Sequence, residues 1–322
     1  MLFRSPAPRL ESLLVRPVPV VVNPGSRRGS AAWPAVREVL DGAGVESTLV
    51  DPHDDLRGTL ARLMESRPPL LLAGGGDGTI GCAAAAVAGT STVLGVVPLG
   101  TANDFARTLE IDPDPATAVR QLLEGRVVDV DLGRAGDAAF LNVASLGFSV
   151  AVTQRLTARA KRRLGPLAYP WAAALAYGRH AAFDAVLHFP DGDHDDLDLR
   201  GLLQIAVGNG VHYGGGNTVS PTASVDDHLL DVYAIERGRL RDHLSIAQLL
   251  RDGSLVDHER VHHVVTRRVE VRTGTPMPVN LDGEIAARTP LLFGVERNAV
   301  RVVVPAHSRA ATFEGASGPD QG

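Results

Sequence analysis

The stretch 68–82, with the sequence PPLLLAGGGDGTIGC, places a short apolar run directly before a cluster of glycines. Residues 70–73 have the length of a buried parallel strand, and the alanine-rich run 82–88 predicts a helix because alanine has the highest helix propensity. Glycine lets a ligand approach the backbone closely, and the exposed N–H groups and dipole of a helix N-terminus attract anions. The stretch therefore predicts a phosphate-binding loop. An ordinary strand–helix turn is the alternative, but it does not need three consecutive glycines.

Strands and helices alternate on both sides of this loop. Strands are predicted at Val18–Val22, 45–50 and Val93–Pro98, and helices at 30–40 and Leu56–Glu65. This alternation is typical of a parallel sheet, which binds ligands at the carboxyl ends of its strands. Because the loops 23–29, 74–79 and 98–107 all follow predicted strands, we expect them to form one site.

The sequence pattern changes near Val127. From there, segments with a period of two are separated by turns, which is typical of antiparallel strands. These segments are 127–134, 138–144, 185–190, 202–208, 230–235, 268–273 and 291–304. Helical stretches are predicted at 150–180 and 238–252, and the Gly-, Ser- and Ala-rich tail 306–322 is predicted to be disordered. A β-rich second domain is therefore expected after the α/β domain.

Composition and charge exclude several classes of protein. The 322 residues suffice for one large or two ordinary domains, and a net charge of −5 argues against bulk nucleic-acid binding. The single cysteine, Cys82, cannot form an intramolecular disulfide, which fits a reducing compartment. Residues 1–19 do not resemble a signal peptide, and there is no apolar run of about 18 residues, so a cytoplasmic protein without a transmembrane segment is predicted. The oligomeric state stays open.

The glycine loop also matches a general dinucleotide pattern. Gly76, Gly78 and Gly81 satisfy G-x-G-x-x-G between a predicted strand and helix. That pattern expects an acidic residue at the end of the next strand to bind the ribose, but the loop 98–107 occupies this place. The match is therefore interpreted as accidental.

The motifs GGGDGT at 74–79 and PLGTANDFAR at 98–107 together resemble the catalytic domain of the diacylglycerol-kinase type. They are most similar to the bacterial lipid kinases of that superfamily, which is related to sphingosine kinases and NAD kinases. GGDGT alone also occurs in NAD kinases and phosphofructokinases, whereas PLGTANDFAR is highly specific. With further matches at 222–232 and 280–284, the resemblance spans residues 20–304.

The resemblance implies an architecture of two domains. An α/β domain like that of NAD kinases and phosphofructokinases, with a parallel sheet, would comprise residues 14–134 and the returning segment 295–305. A β-rich antiparallel sandwich over 135–294 would bind the lipid, and 306–322 would form the tail.

The implied function is that of an ATP- and Mg²⁺-dependent lipid kinase, which phosphorylates the hydroxyl group of a diacylglycerol-like lipid. An NAD kinase is one alternative. A nucleotide-binding regulator without catalysis is another, because Gly81 and Cys82 stand where the family usually has Asn and Glu.

The lipid would be reached at a membrane surface. Basic residues precede the apolar run 164–177 and are suited to an anionic bilayer, although a solvated helix face explains them nearly as well; they are Arg155, Arg159, Lys161, Arg162 and Arg163.

Three loops are predicted to bind the nucleotide. In the first loop, Asn23 would cap the turn, Ser26 would donate to a phosphate and Arg27 would supply positive charge, unless the loop is an ordinary Asn-Pro turn. In the third loop, Thr101 would donate to a phosphate or cap the following helix. The full set is Asn23, Pro24, Gly25, Ser26, Arg27, Gly74, Gly75, Gly76, Asp77, Gly78, Thr79, Gly100, Thr101, Asn103 and Asp104.

Two metal sites are expected. Asp77, Asp104 and Asp131 would form an acidic cluster that holds Mg²⁺ beside ATP, with Asp129 as a rival for the third position. The segment 222–232 resembles the family's structural magnesium site. By that resemblance, the ligands would be the Asp227 side chain and the backbone oxygens of Ser224 and Leu229. His228 stands where glycine is usual, and a polar turn without metal is the alternative.

The general base is expected in Asn280–Glu284, which matches the family's N-x-D-G-E. Asp282 and Glu284 are two carboxylates across a glycine turn, and either could accept the proton of the lipid hydroxyl. Asp282 is favoured because its shorter side chain loses less entropy on being positioned. Asp77 would support catalysis beside the metal and the phosphates. A plain Asp-Gly hairpin turn is the alternative for this segment.

The segment His258–His262 spells H-E-x-x-H, the pattern of a zinc hydrolase when it lies on a helix. The residues that follow, 264–271, are predicted to form a strand. A zinc site is therefore not expected.

Overall fold

The computed structural model describes residues 8–14, 17–23, 29–52, 55–155, 168–177, 181–209, 212–213, 217–218, 225–238 and 258–310. An N-terminal α/β domain built on parallel strands is followed by a C-terminal domain of mostly antiparallel strands. The predicted fold class is confirmed.

Parallel strands form the centre of the N-terminal domain, in the spatial order β2-β1-β3-β4. The elements are α1 (Leu10–Leu13), β1 (Val18–Val22), α2 (Gly29–Gly42), β2 (Ser47–Val50), α3 (Leu56–Glu65), β3 (Leu70–Gly75), α4 (Asp77–Val87), β4 (Val93–Pro98), α5 (Asp104–Thr108) and α6 (Pro115–Leu123). All residues of β3 and β4 are buried, as expected for strands covered by helices on both faces.

The helix after the glycine loop begins earlier than the sequence predicts. Strand β1, helix α3 and strand β4 have the predicted bounds, but α4 begins at Asp77 and not at Cys82. Gly76 takes an extended N-cap conformation, with φ −89° and ψ −177°, and the Asp77 carboxylate in the first turn complements the helix dipole. The N-cap at Gly76 and the interaction of Asp77 with the helix dipole outweigh the low helix propensity of Gly78 and Gly81.

Antiparallel pairing dominates the C-terminal domain. Its elements are β5 (Arg126–Ala135), β6 (Ala138–Phe140), β7 (Val143–Gly147), α7 (Phe148–Arg155), α8 (Ala168–Tyr177), β8 (Phe183–His188), β9 (Leu197–Gly208), β10 (His212–Tyr213), β11 (Asn217–Thr218), β12 (Leu230–Glu236), β13 (Val261–Thr266), β14 (Arg268–Thr273), β15 (Pro278–Leu281), β16 (Glu284–Arg288) and β17 (Leu291–Val304). Strands β15 and β16 form a hairpin whose two-residue turn points toward the N-terminal domain, near Gly78 and Gly81 of α4.

The long strands β5 and β17 connect the two domains. The first part of β17 pairs with β14, whereas Arg301 and Val302 pair in parallel with Val93 and Leu94 of β4. One hydrogen-bonded sheet therefore continues from one domain into the other. Val302 lies in the N-terminal core, and Phe293 lies in the C-terminal core. Because this continuous sheet packs into both cores, the β15–β16 hairpin is held in a defined position relative to the glycine loop.

Part of the predicted tail packs against the N-terminal domain. Ser308 Oγ donates to the carbonyl of Leu109 at 2.9 Å, and the backbone N–H of Arg309 donates to Glu110 Oε2 at 2.9 Å. Residues 306–310 are therefore held in place by hydrogen bonds. Residues 311–322 lie outside the described residues, as do 156–167 and 178–180 of the first predicted helical stretch and 239–252 of the second.

Candidate active site

A cleft of about 510 Å³ lies at the carboxyl ends of the parallel strands. Each of β1 to β4 contributes residues from the segment that follows it, and the C-terminal domain contributes the first residue of β16. The lining residues are Asn23, Asp55, Leu56, Arg57, Gly76, Asp77, Gly78, Thr79, Cys82, Gly100 and Glu284. Described residues from each of the three predicted loops therefore line one cleft, with Asn23 representing the first loop, as the strand order requires.

The first turn of α4 folds back onto β3 at Gly75. A β-carbon at Gly75 would lie 2.3 Å from Cβ of Thr79, so the close approach requires glycine. Thr79 Oγ1 accepts a hydrogen bond of 3.0 Å from Asn23 Nδ2, and the backbone N–H of Asn23 donates to the carbonyl of Gly74 at 3.0 Å. These bonds hold the end of β1 against the glycine loop.

The loop after β4 approaches the same glycines. A β-carbon at Gly100 would lie 2.5 Å from the Cα of Gly76. Asn103, with a φ of +52°, closes this loop, because its Oδ1 accepts a hydrogen bond of 2.8 Å from the backbone N–H of Gly100. Asn103 is thus placed beside the cleft and bonds to its own loop, while Thr101 is exposed.

Asp77 bridges the glycine loop and the start of α5. Its Oδ1 accepts a hydrogen bond of 3.3 Å from the backbone N–H of Phe105. Burial raises the pKa of Asp77, the neighbouring Asp104 raises it further, and the backbone N–H groups at the start of α5 oppose both effects. Two of the three predicted acidic residues therefore lie close together, with Asp77 lining the cleft and Asp104 buried beside it.

The third predicted acidic residue, Asp131, is bound differently. Its carboxylate accepts 2.7 Å hydrogen bonds from the backbone N–H groups of His228 and Asn298. Burial raises the pKa of Asp131, and the bonds from Asn298 and His228 oppose this rise. Among the residues with described side chains, no three His, Cys, Asp or Glu residues are grouped closely enough to hold a metal ion. The structure therefore does not bring Asp77, Asp104 and Asp131 into one metal-binding group, and the rival Asp129 forms an ion pair of 3.4 Å with Arg301.

The predicted structural magnesium site is described in part. Asp227 Oδ1 accepts a hydrogen bond of 3.0 Å from the backbone N–H of Leu229, which closes a tight local turn. Ser224 lies outside the described residues, as do Pro24, Gly25, Ser26 and Arg27 of the first nucleotide loop. The metal at this turn stays a prediction.

Asp282 anchors the β15–β16 turn to the backbone of the C-terminal domain. Asp282 and Gly283 form a two-residue turn with φ of +46° and +100°, which is the Asp-Gly hairpin turn considered above. The Asp282 carboxylate accepts three backbone hydrogen bonds, from Leu141 at 2.6 Å and from Asn142 and Val143 at 3.0 Å. Desolvation raises the pKa of Asp282 to about 6, although these three donors lower it.

Glu284, two residues further on, lies at the cleft. A β-carbon at Gly78 would lie 3.8 Å from Glu284 Oε1, which places this carboxylate beside the first turn of α4. Glu284 Oε2 also forms an ion pair of 3.6 Å with Arg57 NH2, and both side chains are mostly exposed. Glu284 therefore lines the cleft, whereas the carboxylate of Asp282, the base preferred from the sequence, is directed at backbone N–H groups.

Four lining residues were not predicted as site residues: Asp55, Leu56, Arg57 and Cys82. Asp55 caps α3 by accepting a hydrogen bond of 2.8 Å from the backbone N–H of Gly58. Cys82 lies close to Arg57 and Glu284; burial raises the pKa of its thiol, and Arg57 opposes this rise. The position of Asp55–Arg57 at the start of α3, the helix that follows β2 at the carboxyl edge of the sheet, was the available signal for three of them.

The H-E-x-x-H segment is not helical. Within it, His262 lies on strand β13, and His258 precedes that strand in a turn. His262 Nε2 lies 3.0 Å from Glu236 Oε1. The helix that would place both histidines on one ion is absent from residues 258–266, as predicted.

No helix within the described part of the chain is long and apolar enough to cross a membrane. Helix α8 nevertheless exposes two large apolar side chains, Trp171 at 45% and Leu175 at 39%.

Comparison with solved structures supports the two-domain fold. A diacylglycerol kinase structure from Bacillus anthracis aligns with a TM-score of 0.68, at 20% identity over 89% of this chain and 96% of the other. Another chain from the same organism, a candidate diacylglycerol kinase, aligns with a TM-score of 0.77, at 21% identity over 94% of this chain and 98% of the other. At these identities the likeness establishes the fold alone.

Sequence comparison identifies the family. Residues 17–135 match the diacylglycerol kinase catalytic domain, and residues 142–304 match the YegS C-terminal NAD kinase beta sandwich-like domain. A protein of Pseudomonas fluorescens named "Probable lipid kinase YegS-like" is 36% identical over 74% of this chain and 76% of its own length. A Pseudomonas aeruginosa protein of the same name is 34% identical over 88% of this chain and 92% of its own length. The chain belongs to the family of YegS-like lipid kinases of the diacylglycerol kinase type.

Proposed function

We propose that this protein transfers the γ-phosphoryl group of Mg²⁺-bound ATP to the hydroxyl group of a diacylglycerol-like lipid. The observation that carries the proposal is the position of Glu284, a carboxylate from the C-terminal domain beside the glycine loop of the N-terminal domain. Phosphoryl transfer requires a phosphate-binding loop and a proton acceptor at one cleft. In this cleft the glycine loop would bind the phosphates and Glu284 would accept the proton.

The nucleotide phosphates would lie against the three loops at the carboxyl ends of β1, β3 and β4. The backbone N–H groups at the start of α4 and the side chain of Thr79 are suited to donate to phosphate oxygens. Asp77, which lines the cleft, and the neighbouring Asp104 would supply carboxylate oxygens to the ATP-bound Mg²⁺. Arg57 would add positive charge from the opposite wall, exchanging its ion pair with Glu284 for a phosphate oxygen.

The lipid hydroxyl would approach from the side of Glu284. Its oxygen attacks the γ-phosphorus, the bond from that phosphorus to the bridging oxygen of the β-phosphate breaks, and ADP leaves. Glu284 accepts the hydroxyl proton as the new bond forms. Asp282 is a poor acceptor, because both of its oxygens already accept backbone N–H bonds. We therefore assign Asp282 to holding the turn and Glu284 to the proton transfer.

We infer a division of labour between the domains. Residues 14–134 with 295–305 would bind the nucleotide, and 135–294 would bind the lipid. The exposed apolar residues of α8 support a lipid-facing role for the C-terminal domain, since Trp and Leu at a surface are suited to the bilayer interface. The protein would then act as a peripheral enzyme on lipid presented in a membrane.

Transfer of labelled phosphate from Mg²⁺-ATP to a panel of acceptors tests this function. We expect label in diacylglycerol presented in vesicles, and none in NAD. Label in NAD alone would identify an NAD kinase and contradict the proposal. ATP binding without transfer to any acceptor would instead support a nucleotide-binding regulator.

A further inference from the structure

The Asp131 carboxylate on β5 joins three separate segments of the chain. Oδ1 accepts from the backbone N–H of Asn298 on β17, and Oδ2 accepts from the backbone N–H of His228, both at 2.7 Å. His228 Nδ1 lies 3.0 Å from both oxygens, and it donates to them in the tautomer that carries hydrogen on Nδ1. Because the Asp131 side chain is only 2% exposed, these donors take the place of solvent.

The imidazole of His228 is the unusual partner in this group. His228 has a φ of +63°, in the left-handed region that favours glycine. Glycine at this position would offer the same backbone N–H without conformational cost. The side chain of His228 offsets that cost by its contact with Asp131, which a glycine could not make.

The turn 225–229 is also tied to β5 through the backbone. The N–H of Asp131 donates to the carbonyl of Val225 at 2.7 Å. Within the turn, Asp227 Oδ1 accepts the N–H of Leu229. The turn is thus closed within itself and attached to β5 at both the backbone and the side chain of Asp131.

We propose that His228 takes the structural role of a divalent ion at this turn, so that the folded protein needs no metal ion there. A hard cation such as Mg²⁺ requires several oxygen ligands with free lone pairs. Here the buried Asp131 carboxylate is directed at N–H groups, and a nitrogen donor of His228 occupies the space in front of it. Among the described side chains, no three His, Cys, Asp or Glu residues at this turn are grouped closely enough to hold a metal ion. The N–H groups that face Asp131 therefore suit a hydrogen-bonded imidazole beside this carboxylate and do not suit Mg²⁺.

Thermal unfolding of the full chain, in excess Mg²⁺ and in excess EDTA, tests this proposal without reference to the reaction catalysed. We expect wild-type Tm values that agree within about 1 °C, because an ion bound only to the folded state would raise Tm. His228→Ala keeps a side chain in the left-handed region but removes the imidazole, and we expect its Tm to be lower by roughly 3 °C or more.

His188→Ala is the matched control. His188 Nδ1 lies 2.9 and 3.0 Å from the two oxygens of Asp196, nearly the geometry of the His228–Asp131 pair. The side chains of His188 and Asp196 are 34% and 52% exposed, so this pair is solvated. We expect its removal to change Tm by less than about 1 °C.

Two results would overturn the proposal: a clear drop of the wild-type Tm in EDTA, or equal Tm values for His228→Ala and His188→Ala. If His228→Ala does not fold, His228→Asn replaces it, since asparagine tolerates the left-handed region. Its shorter amide is expected to speed hydrogen exchange of the backbone N–H groups of His228 and Asn298. Unchanged exchange at both groups would also contradict the proposal.

Discussion

Asp282 and Glu284 are separated by one glycine but lie in different electrostatic environments. The carboxylate of Asp282 is desolvated and surrounded by backbone N–H donors, whereas that of Glu284 is mostly exposed at the cleft. A base must reach the proton it removes, and a side chain that already accepts three hydrogen bonds cannot reorient toward a substrate without breaking them. In the proposed reaction, we therefore assign Asp282 to anchoring the turn and Glu284 to proton transfer.

Asp282 should make stability depend on pH. Its pKa is about 6 in the folded state against an ordinary value of 3.8, so the folded protein retains this proton between about pH 4 and 6 while the unfolded chain loses it. The contribution of Asp282 is therefore fully present below pH 4 and is lost as the pH rises through 6. Asparagine cannot titrate. We expect the Tm of wild type minus that of Asp282→Asn to fall across this window; a constant difference would contradict the assigned environment.

Arg57 should contribute to nucleotide binding but not to stability. Its ion pair with Glu284 is solvated and contributes little to folding. If Arg57 binds a phosphate oxygen, Arg57→Ala should weaken ATP affinity about tenfold, the size of one charge-assisted hydrogen bond. Arg62 on the same helix, which donates to Thr59 at 3.0 Å, does not line the cleft and provides the control. Equal ATP affinities of the two variants, measured by calorimetry, would exclude this role.

The sequence predicts the backbone-determined part of the cleft better than the part formed by side chains. Gly76, Gly78 and Gly100 line it as expected, because glycine marks places where a backbone must approach closely. Cys82 was missed as a site residue because it carries no local signal for its role, and Arg57 was missed because only its position after β2 indicated the cleft. Which acidic residue faces the cleft was also not predictable. It depends on the N–H groups of residues 141–143, which are about 140 positions away in the sequence.

At the scale of elements, the loops after β3 and β4 depend on each other. Gly100 leaves no room for a β-carbon, because it would lie 2.5 Å from Cα of Gly76 and 2.7 Å from Asn103 Oδ1. The Gly76 backbone and the hydrogen-bonded Asn103 amide cannot move away from an added β-carbon without disturbing the glycine loop. The geometry of the phosphate site thus relies on both loops together.

Gly100→Ala should therefore reduce both ATP affinity and stability. Overpacking of this kind costs about 1–3 kcal/mol, so we expect a fall in Tm and at least tenfold weaker ATP binding. Gly274→Ala is the matched control, because no atom lies within 4 Å of its added β-carbon and its φ is not in the left-handed region. Parent-like ATP affinity and Tm in Gly100→Ala would show that the two loops are not in contact as described.

The bounds of strands were predicted correctly where a continuous apolar run in the sequence forms a buried strand. Strands β1 and β4 are continuous apolar runs, and both have the predicted bounds. The start of α4 was misplaced, since propensity favours the alanines while the capping geometry at Gly76 decides the actual boundary. The predicted strand 264–271 is divided between β13 and β14, which end and begin on either side of Arg267. Pairing with different neighbours, β12 and β8, separates the two strands.

At the scale of the whole molecule, the strand β17 belongs to both domains. Its pairing with β4 joins residues about 200 positions apart, and a pattern of alternating residues does not reveal such a partner. The return of this segment to the first domain was expected from the family resemblance alone. Because β17 and β5 span both cores, the hairpin that carries Glu284 is held against the N-terminal glycine loop.

The central claim is that Glu284 of one domain completes a phosphoryl-transfer site on the other. The most direct test is the kcat of Glu284→Gln for diacylglycerol phosphorylation, measured together with its ATP affinity. We expect kcat to fall by roughly 10²–10⁴-fold, because the proton acceptor is lost, while ATP binding and Tm stay close to wild type. Turnover equal to that of wild type would contradict the account, since the base would then lie elsewhere.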